Sequence, residues 1–485
     1  MLRPSRIALV TSTLIALTAL AACSGSPSED QGSSGSPSPS PDPTQPGGGP
    51  EGDSGAQPTP YVDYDINHIL ETGQSNSVGL EASPPITLTQ PFTNMMFNTG
   101  VMTATDCDGD GCVTQQTPTS FVPLVEGGFY IDKTHETSCS GLGNLASRLG
   151  VQQYLPSQYT KHDILVSLHG RSGYTYACLR KNGCDFFGTP NPYTVPFDDG
   201  MIQVQTGMSL AQAAGKSYVV RAVTSIHGES DHYAYTTGAA EFPMPSTDGQ
   251  TMLQDYSDAL IEWQKDYEES VKTITNQTEH VPLIILQMSN WNDVPHSQIP
   301  TWQLSAHVRA PGKVVLATSG YFFSYAEDCL HFDAVSERRI GEYFAKVYAR
   351  IVFQGLSWEP VRPKSVTLSG NVITAQFYVP VPPLVLDTDR VSNPGNFGFE
   401  YTDDSSAPPS ITNVAIDGPD TVKITLDSAP TGTGPRLRYA FTAVPLTCPG
   451  PEDGPRGNLR DSDNTPSNYN NELFNWGVTF DEPVN

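Results

Sequence analysis

Positive charge is scarce in this chain of 485 residues: 26 Lys and Arg stand against 52 Asp and Glu, a formal net charge of -26. A field of that sign repels polyanions, so nucleic acid is excluded as a partner and anionic lipid surfaces are disfavoured for the folded body. Long apolar runs are scarce too. Past residue 22, no stretch approaches the roughly 18 to 20 apolar residues that a helix needs to cross a bilayer. From Ser24 to Pro60 apolar side chains are almost missing; Ser, Pro, Gly, Asp and Glu dominate, and such a composition cannot bury enough surface to fold. No internal repeat is apparent.

The start of the chain is different. Arg3 and Arg6 precede the apolar run Ile7 to Leu20, and Leu20-Ala21-Ala22-Cys23 resembles the lipobox of a bacterial lipoprotein signal. On this reading residues 1–22 are a signal peptide and Cys23 carries lipid. Residues 23–60 are then a tether, semi-stiff where Ser36-Pro37-Ser38-Pro39 favours extended backbone. The expectation is an extracytoplasmic protein held to a bacterial membrane by its N-terminal lipid, at the cell surface or in the periplasm, with a monomeric body.

A chain of this length predicts more than one domain, since single cores stop growing near roughly 250 to 300 residues. Short, β-branched-rich runs at Ile66 to Thr72, Asp163 to His169, Tyr218 to Ile226, Val281 to Met288 and Val314 to Thr318 read as strands. Amphipathic stretches alternate with them. Tyr256, Ala259, Leu260, Trp263, Tyr267, Val271 and Ile274 fall on one helical face, and Ile340, Phe344, Val347, Tyr348 and Ile351 on another. This alternation predicts an α/β domain over residues 61–357, built on a doubly wound, flavodoxin-like parallel sheet of five strands. Past Trp358 the periodicity changes to alternating runs separated by turn residues such as Ser369-Gly370-Asn371, which predicts a smaller antiparallel β-sandwich over residues 358–485.

Ligands of such sheets bind at the carboxyl ends of the strands. Ser75 follows the first strand in Gly73-Gln74-Ser75-Asn76, a sharp turn that leaves a hydroxyl uncovered. After the fifth strand comes Asp328-Cys329-Leu330-His331, where one carboxylate can hold one imidazole while the other ring nitrogen faces a serine. Ser75, His331 and Asp328 are therefore the candidate nucleophile, base and orienting acid.

These blocks resemble the SGNH hydrolase superfamily, and within it the sialate O-acetylesterase-like carbohydrate esterases. The resemblance spans residues 66 to 354 and implies more roles. Ser140-Gly141-Leu142-Gly143-Asn144 stands where the family places its oxyanion glycine, giving Gly141 with the Ser75 amide. His227-Gly228-Glu229-Ser230-Asp231 stands where the branch carries Gln-Gly-Glu, so His227 would replace an amide side chain as oxyanion donor. Glu229 is the alternative or supporting acid for His331. The loop after the second strand resembles one that lines the cleft in these esterases; there Arg171 and Tyr174 either contact sugar or stand on a solvated turn, and neither is counted among the catalytic residues.

The resemblance implies a serine esterase that removes acetyl groups from carbohydrate, acetylated polysaccharide or a sialic-acid-type sugar, and needs no cofactor. Two other readings stand beside it: a glycan-binding surface lipoprotein with little or no activity, and a short-chain lipase or thioesterase. Asp106, Asp108 and Asp110 have the alternate spacing of a calcium loop but lack its terminal glutamate, so a disulfide-closed acidic turn is the preferred reading.

Setting Cys23 aside leaves seven of the eight cysteines. Short spacings favour Cys107 with Cys112 and Cys178 with Cys184 as local staples. Of Cys139, Cys329 and Cys448 one is then unpaired, and a Cys329–Cys448 bridge would clamp the loop carrying His331 to the C-terminal domain.

Overall fold

The structure is a computed structural model that describes residues 59–104, 116–127, 135–183, 195–236, 242–291 and 293–485. The expected signal, Cys23, the expected tether up to residue 58, Asp106, Asp108, Asp110, Cys107, Cys112 and Cys184 lie outside the described residues.

In chain order the first elements are β1 (Ile66–Gly73), β2 (Met95–Phe97), β3 (Phe121–Pro123), α1 (Ser138–Leu149), β4 (Ile164–Leu168), α2 (Tyr176–Leu179), α3 (Pro196–Ala213) and β5 (Tyr218–Ile226). There follow α4 (Glu229–Thr236), the short strands β6 (Met244–Pro245) and β7 (Met252–Leu253), α5 (Tyr256–Thr275), β8 (Leu283–Gln287), α6 (Ile299–Arg309), β9 (Val314–Ser319) and α7 (Ala334–Tyr348).

The central sheet runs β3-β2-β4-β1-β5-β8-β9. Its five parallel strands are those expected from the sequence, with β1 between β4 and β5. The sheet has seven strands rather than five. β2 joins β4 through Met95, and β3 pairs antiparallel to β2, so a three-residue ribbon extends one edge. The strand order reverses direction at β1, and right-handed crossovers then put α1 and α7 on one face and α3, α5 and α6 on the other.

β1 is buried along its whole length although it carries Asn67, His68 and Glu71. Each of these has a partner: Asn67 takes the Arg221 Nε–H at 2.7 Å, His68 lies between the Tyr218 and Ser167 hydroxyls, and Glu71 accepts from Ser138 and Cys139. Burying them unpaired would cost several kcal/mol apiece. On the outer face α1 and α7 approach until their backbones touch. A Cβ at Gly141 would stand 1.9 Å from the Arg338 carbonyl oxygen, and one at Gly341 would stand 2.0 Å from that of Ser138.

The C-terminal segment holds β10 (Arg362–Ser369), β11 (Val372–Tyr378), β12 (Val385–Leu386), β13 (Phe399–Thr402), β14 (Ile411–Ile416), β15 (Thr421–Leu426), β16 (Arg436–Tyr439), β17 (Leu459–Arg460) and β18 (Phe480–Pro483). They form an antiparallel sheet β10-β11-β15-β14, a second sheet β13-β16-β18 and the pair β12-β17. Phe377 of the first sheet meets Phe399 and Phe480 of the second, with ring centroids 6.5 and 6.1 Å apart.

This segment shares a continuous apolar core with the parallel sheet. Phe322 stacks on Trp476, the Tyr321 hydroxyl donates to the Gly477 carbonyl at 2.8 Å, and Gln287 exchanges two hydrogen bonds with the Thr479 backbone. Among the three cysteines whose pairing the sequence leaves open, the Cys329–Cys448 bridge is formed and Cys139 is free and buried. Cys178 is also disulfide-bonded.

Candidate active site

Gly73 ends β1 at φ +135°, and a Cβ there would lie 2.1 Å from the Ile226 carbonyl oxygen, so only glycine lets the strand leave the sheet at this angle. The Gln74 amide then donates to that same carbonyl at 3.2 Å, and the chain tightens into a turn in which Ser77 N donates to Gln74 O and Leu80 N to Ser75 O. Ser75 is thereby held at the carboxyl end of the central strand, 7% exposed. Among the described residues its hydroxyl has no hydrogen-bond partner.

The segment carrying His331 arrives from β9. Asp328 closes it on itself: one carboxylate oxygen accepts from the Leu330 and His331 amides at 3.0 and 3.1 Å, and the other accepts from His331 Nδ1 at 2.5 Å. Burial pushes the Asp328 carboxyl upward, but the ring and amide hydrogen bonds outweigh it and hold the group below its ordinary value. The carboxylate is thus the acceptor, Nδ1 carries the proton, and Nε2 keeps its lone pair. No described residue hydrogen-bonds Nε2.

Asn76 joins the two segments. Its side-chain oxygen accepts from the Phe332 amide at 3.2 Å, while its Nδ2 donates to the Leu330 carbonyl at 3.5 Å and to Glu229 Oε1 at 3.2 Å. The residue after Ser75 therefore grips the residues on both sides of His331. Asn290, beyond β8, adds a donor to the Leu330 carbonyl at 2.8 Å. No hydrogen bond joins the Ser75 hydroxyl to His331 here; unliganded catalytic pairs are often long and tighten on substrate.

The two candidate carboxylates take different partners. Asp328 holds the His331 ring, whereas Glu229 holds Asn76. Burial raises the Glu229 carboxyl to about 7, partly offset by its hydrogen bonds, and its second oxygen is buried without a hydrogen-bond partner.

His227 is not placed to hold an oxyanion. Nδ1 faces the Tyr256 hydroxyl at 2.5 Å and Nε2 donates to the Tyr174 carbonyl at 3.0 Å, so both ring nitrogens are committed. Burial lowers its pKa to about 4, which keeps it neutral. Gly141 is also displaced from the role expected of it. It lies within α1, pressed on α7, and its missing side chain serves that contact.

Gly170, which the sequence places at the cleft after the second strand without an oxyanion role, offers a further amide. It lies two residues past the end of β4, and a Cβ there would stand 2.2 Å from the Ser77 hydroxyl and 2.9 Å from the Gly73 carbonyl oxygen, so its backbone presses on the turn that carries Ser75. Neither the Gly170 nor the Ser75 amide donates to an acceptor among the described residues. Two free amides beside one uncommitted hydroxyl can hold a developing negative charge. Arg171, a candidate for sugar contact, is buried and paired with Asp199.

No family model matches the chain, and no curated protein matches it. Among solved structures, it is similar to a carbohydrate acetylesterase from Xanthomonas citri, at 13% identity over 86% of this chain and 80% of that one, with a TM-score of 0.49. It is also similar to a protein from Arabidopsis thaliana, at 11% identity over 58% of this chain and 97% of that one, TM-score 0.32. A carbohydrate acetylesterase from Sinorhizobium meliloti gives 9% identity over the same shares, TM-score 0.29.

Proposed function

We propose that this chain is a serine esterase that removes acetyl groups from carbohydrate through an acyl-enzyme. The observation that carries the reading is the pairing of Asp328 with His331 Nδ1 at 2.5 Å in a segment tied through Asn76 to the turn of Ser75, with the hydroxyl and Nε2 both left free.

The chemistry follows from those groups. His331 Nε2 takes the Ser75 proton as the hydroxyl oxygen attacks the ester carbonyl. The oxyanion is received by the amides of Ser75 and Gly170. His331 then gives the proton to the departing sugar oxygen as the C–O bond breaks, leaving acetyl on Ser75. Water, deprotonated by His331, attacks that acetyl, releases acetate and returns the proton to Ser75. Asp328 keeps Nδ1 protonated throughout and stabilises the imidazolium.

The carbohydrate class rests on the sequence blocks around Ser75, Glu229 and His331 and on their resemblance to sialate O-acetylesterase-like enzymes. The excess of acidic residues favours a neutral acetylated polysaccharide over a polyanionic one. We also propose that Cys23 carries lipid and holds the enzyme at a bacterial membrane. The test is release of acetate from acetylated xylan and from an acetylated sialic acid, with Ser75→Ala as control. Acetate release that depends on Ser75 supports the reading; release from neither substrate overturns the carbohydrate assignment.

A further inference from the structure

We propose that the Cys329–Cys448 disulfide is a positioning element of the Asp328–His331 pair, and that its reduction lowers the esterase rate while the body stays folded. The inference rests on the esterase reading and adds a means of regulation to that site.

The bridge enters the catalytic segment between its acid and its base, since Cys329 directly follows Asp328 and lies two residues before His331. Cys329 adopts φ +60°, a left-handed conformation that side chains other than glycine rarely take, so something must hold it. Within the turn only local bonds do so: Cys329 N donates to Ala326 O at 3.0 Å, and Ala326 N to His331 O at 2.7 Å. Asn76 and Asn290 grip the far side of the turn, at Leu330 and Phe332. The Asp328 side is different. Its carboxylate is 36% exposed, and the bridge is the covalent tie at that end.

The other half of the bridge is well anchored. On one side of Cys448 the Ala443 amide donates to the Pro295 carbonyl and the Thr442 amide to Glu400; on the other the Pro451 carbonyl accepts from the Ser392 amide. Cys448 therefore transmits a fixed position to Cys329. Cys448 is exposed and Cys329 half-buried, so a small thiol can reach the sulfurs. Cys139, buried against Glu71 with its thiol pushed well up by burial, is shielded from such exchange.

With a dithiol reductant the step balances. One thiolate attacks a bridge sulfur, the S–S bond breaks and a mixed disulfide forms; the second thiol of the reductant displaces the remaining cysteine. Two electrons and two protons pass to Cys329 and Cys448, which end as thiols, and the reductant ends as its own disulfide. Asp328 is then held only by its own hydrogen bonds to the Leu330 and His331 amides and to His331 Nδ1, while the Asn76 and Asn290 bonds still grip Leu330 and Phe332.

The test compares wild type with the Cys329→Ser/Cys448→Ser double variant on p-nitrophenyl acetate and follows labelling of Ser75 by a fluorophosphonate. A loss of about tenfold to a hundredfold in kcat, with KM nearly unchanged and labelling slowed in step, is expected for misplacement of a catalytic pair. Unchanged kcat and labelling overturn the proposal. An oxidised wild type that neither hydrolyses nor labels at Ser75 condemns the esterase reading instead. Should the double variant not fold, wild type is titrated with dithiothreitol, and alkylation of Cys329, circular dichroism and activity are read together. Activity that falls with Cys329 alkylation at constant ellipticity, and returns on reoxidation, supports the proposal; activity that falls only with ellipticity overturns it.

Discussion

The Asn76 side-chain oxygen accepts a hydrogen bond from the Phe332 amide at 3.2 Å, joining the residue after Ser75 to the residue after His331 across 256 positions of sequence. Through this contact two loops from opposite ends of the domain share one geometry. Asn76→Ala removes the acceptor and leaves the buried Phe332 amide and Glu229 carboxylate unpaired. The expected cost is about 1 to 3 kcal/mol of stability, read as a lower Tm, with a kcat loss of up to about a hundredfold from loosened positioning. A variant with wild-type Tm and kcat contradicts the bridging role.

Asp328 and Glu229 are separable by mutation. Asp328→Asn permits the wrong imidazole tautomer and should cost on the order of 10³- to 10⁴-fold in kcat, the scale known for serine protease triads. Glu229→Gln preserves the hydrogen bond from Asn76 Nδ2 and should leave kcat at neutral pH within about tenfold of wild type. Steady-state kinetics on p-nitrophenyl acetate rank the two, and the reverse order would make Glu229 the orienting acid.

Gly141 and His227 are expected to matter for folding rather than for oxyanion binding. His227→Phe removes the two hydrogen bonds that the ring makes to the Tyr256 hydroxyl and the Tyr174 carbonyl, at about 1 to 3 kcal/mol for each. Gly141→Ala drives a methyl group into the Arg338 carbonyl, and α1 and α7 must part to admit it. Thermal melts of both variants should shift downward, while kcat corrected for folded fraction stays within a few-fold of wild type. A loss of a hundredfold or more in either, at full folding, would restore the oxyanion role.

Behind the nucleophile strand lies a group of buried carboxyls. Burial raises Glu71 to about 7 and Glu126 to about 8, with neighbouring Glu136 adding to the rise at Glu126. Both values lie above the ordinary glutamate value of 4.5, so the folded state binds protons that the unfolded state releases, and stability falls as pH climbs from about 4.5 to about 8. Melting temperature measured across that window should decline with pH. Glu71→Gln cannot ionise and should flatten the curve; a curve equally steep in the variant assigns the effect elsewhere.

The five parallel strands were legible because strands covered by helices on both faces read as continuous apolar runs, as in Leu283–Gln287 and Val314–Ser319. β2 and β3 were not, since three-residue edge strands carry no period to detect. The Asp328–His331 pairing was readable from its spacing, and the turn carrying Ser75 from its glycine. Gly141 and Gly170 were not separable in the same way, because a glycine that lets helices touch and a glycine that presents an amide look identical until the neighbouring backbone is placed. His227 misled for a related reason: its partners, Tyr256 and the Tyr174 carbonyl, come from segments 29 and 53 residues away. Asn76 sat inside the quoted motif, yet its partners at Leu330 and Phe332 belong to a loop that only the fold brings near.

The most direct measurement is the mass of Ser75-containing peptide after quenching turnover of an activated acetyl ester. A single acetyl group is expected on Ser75, accumulating in Asp328→Asn or at low pH and absent from Ser75→Ala, which should also lose acetate release by at least about 10⁴-fold. Acetate released at the wild-type rate by Ser75→Ala, or an acetyl group found on another residue, would contradict it.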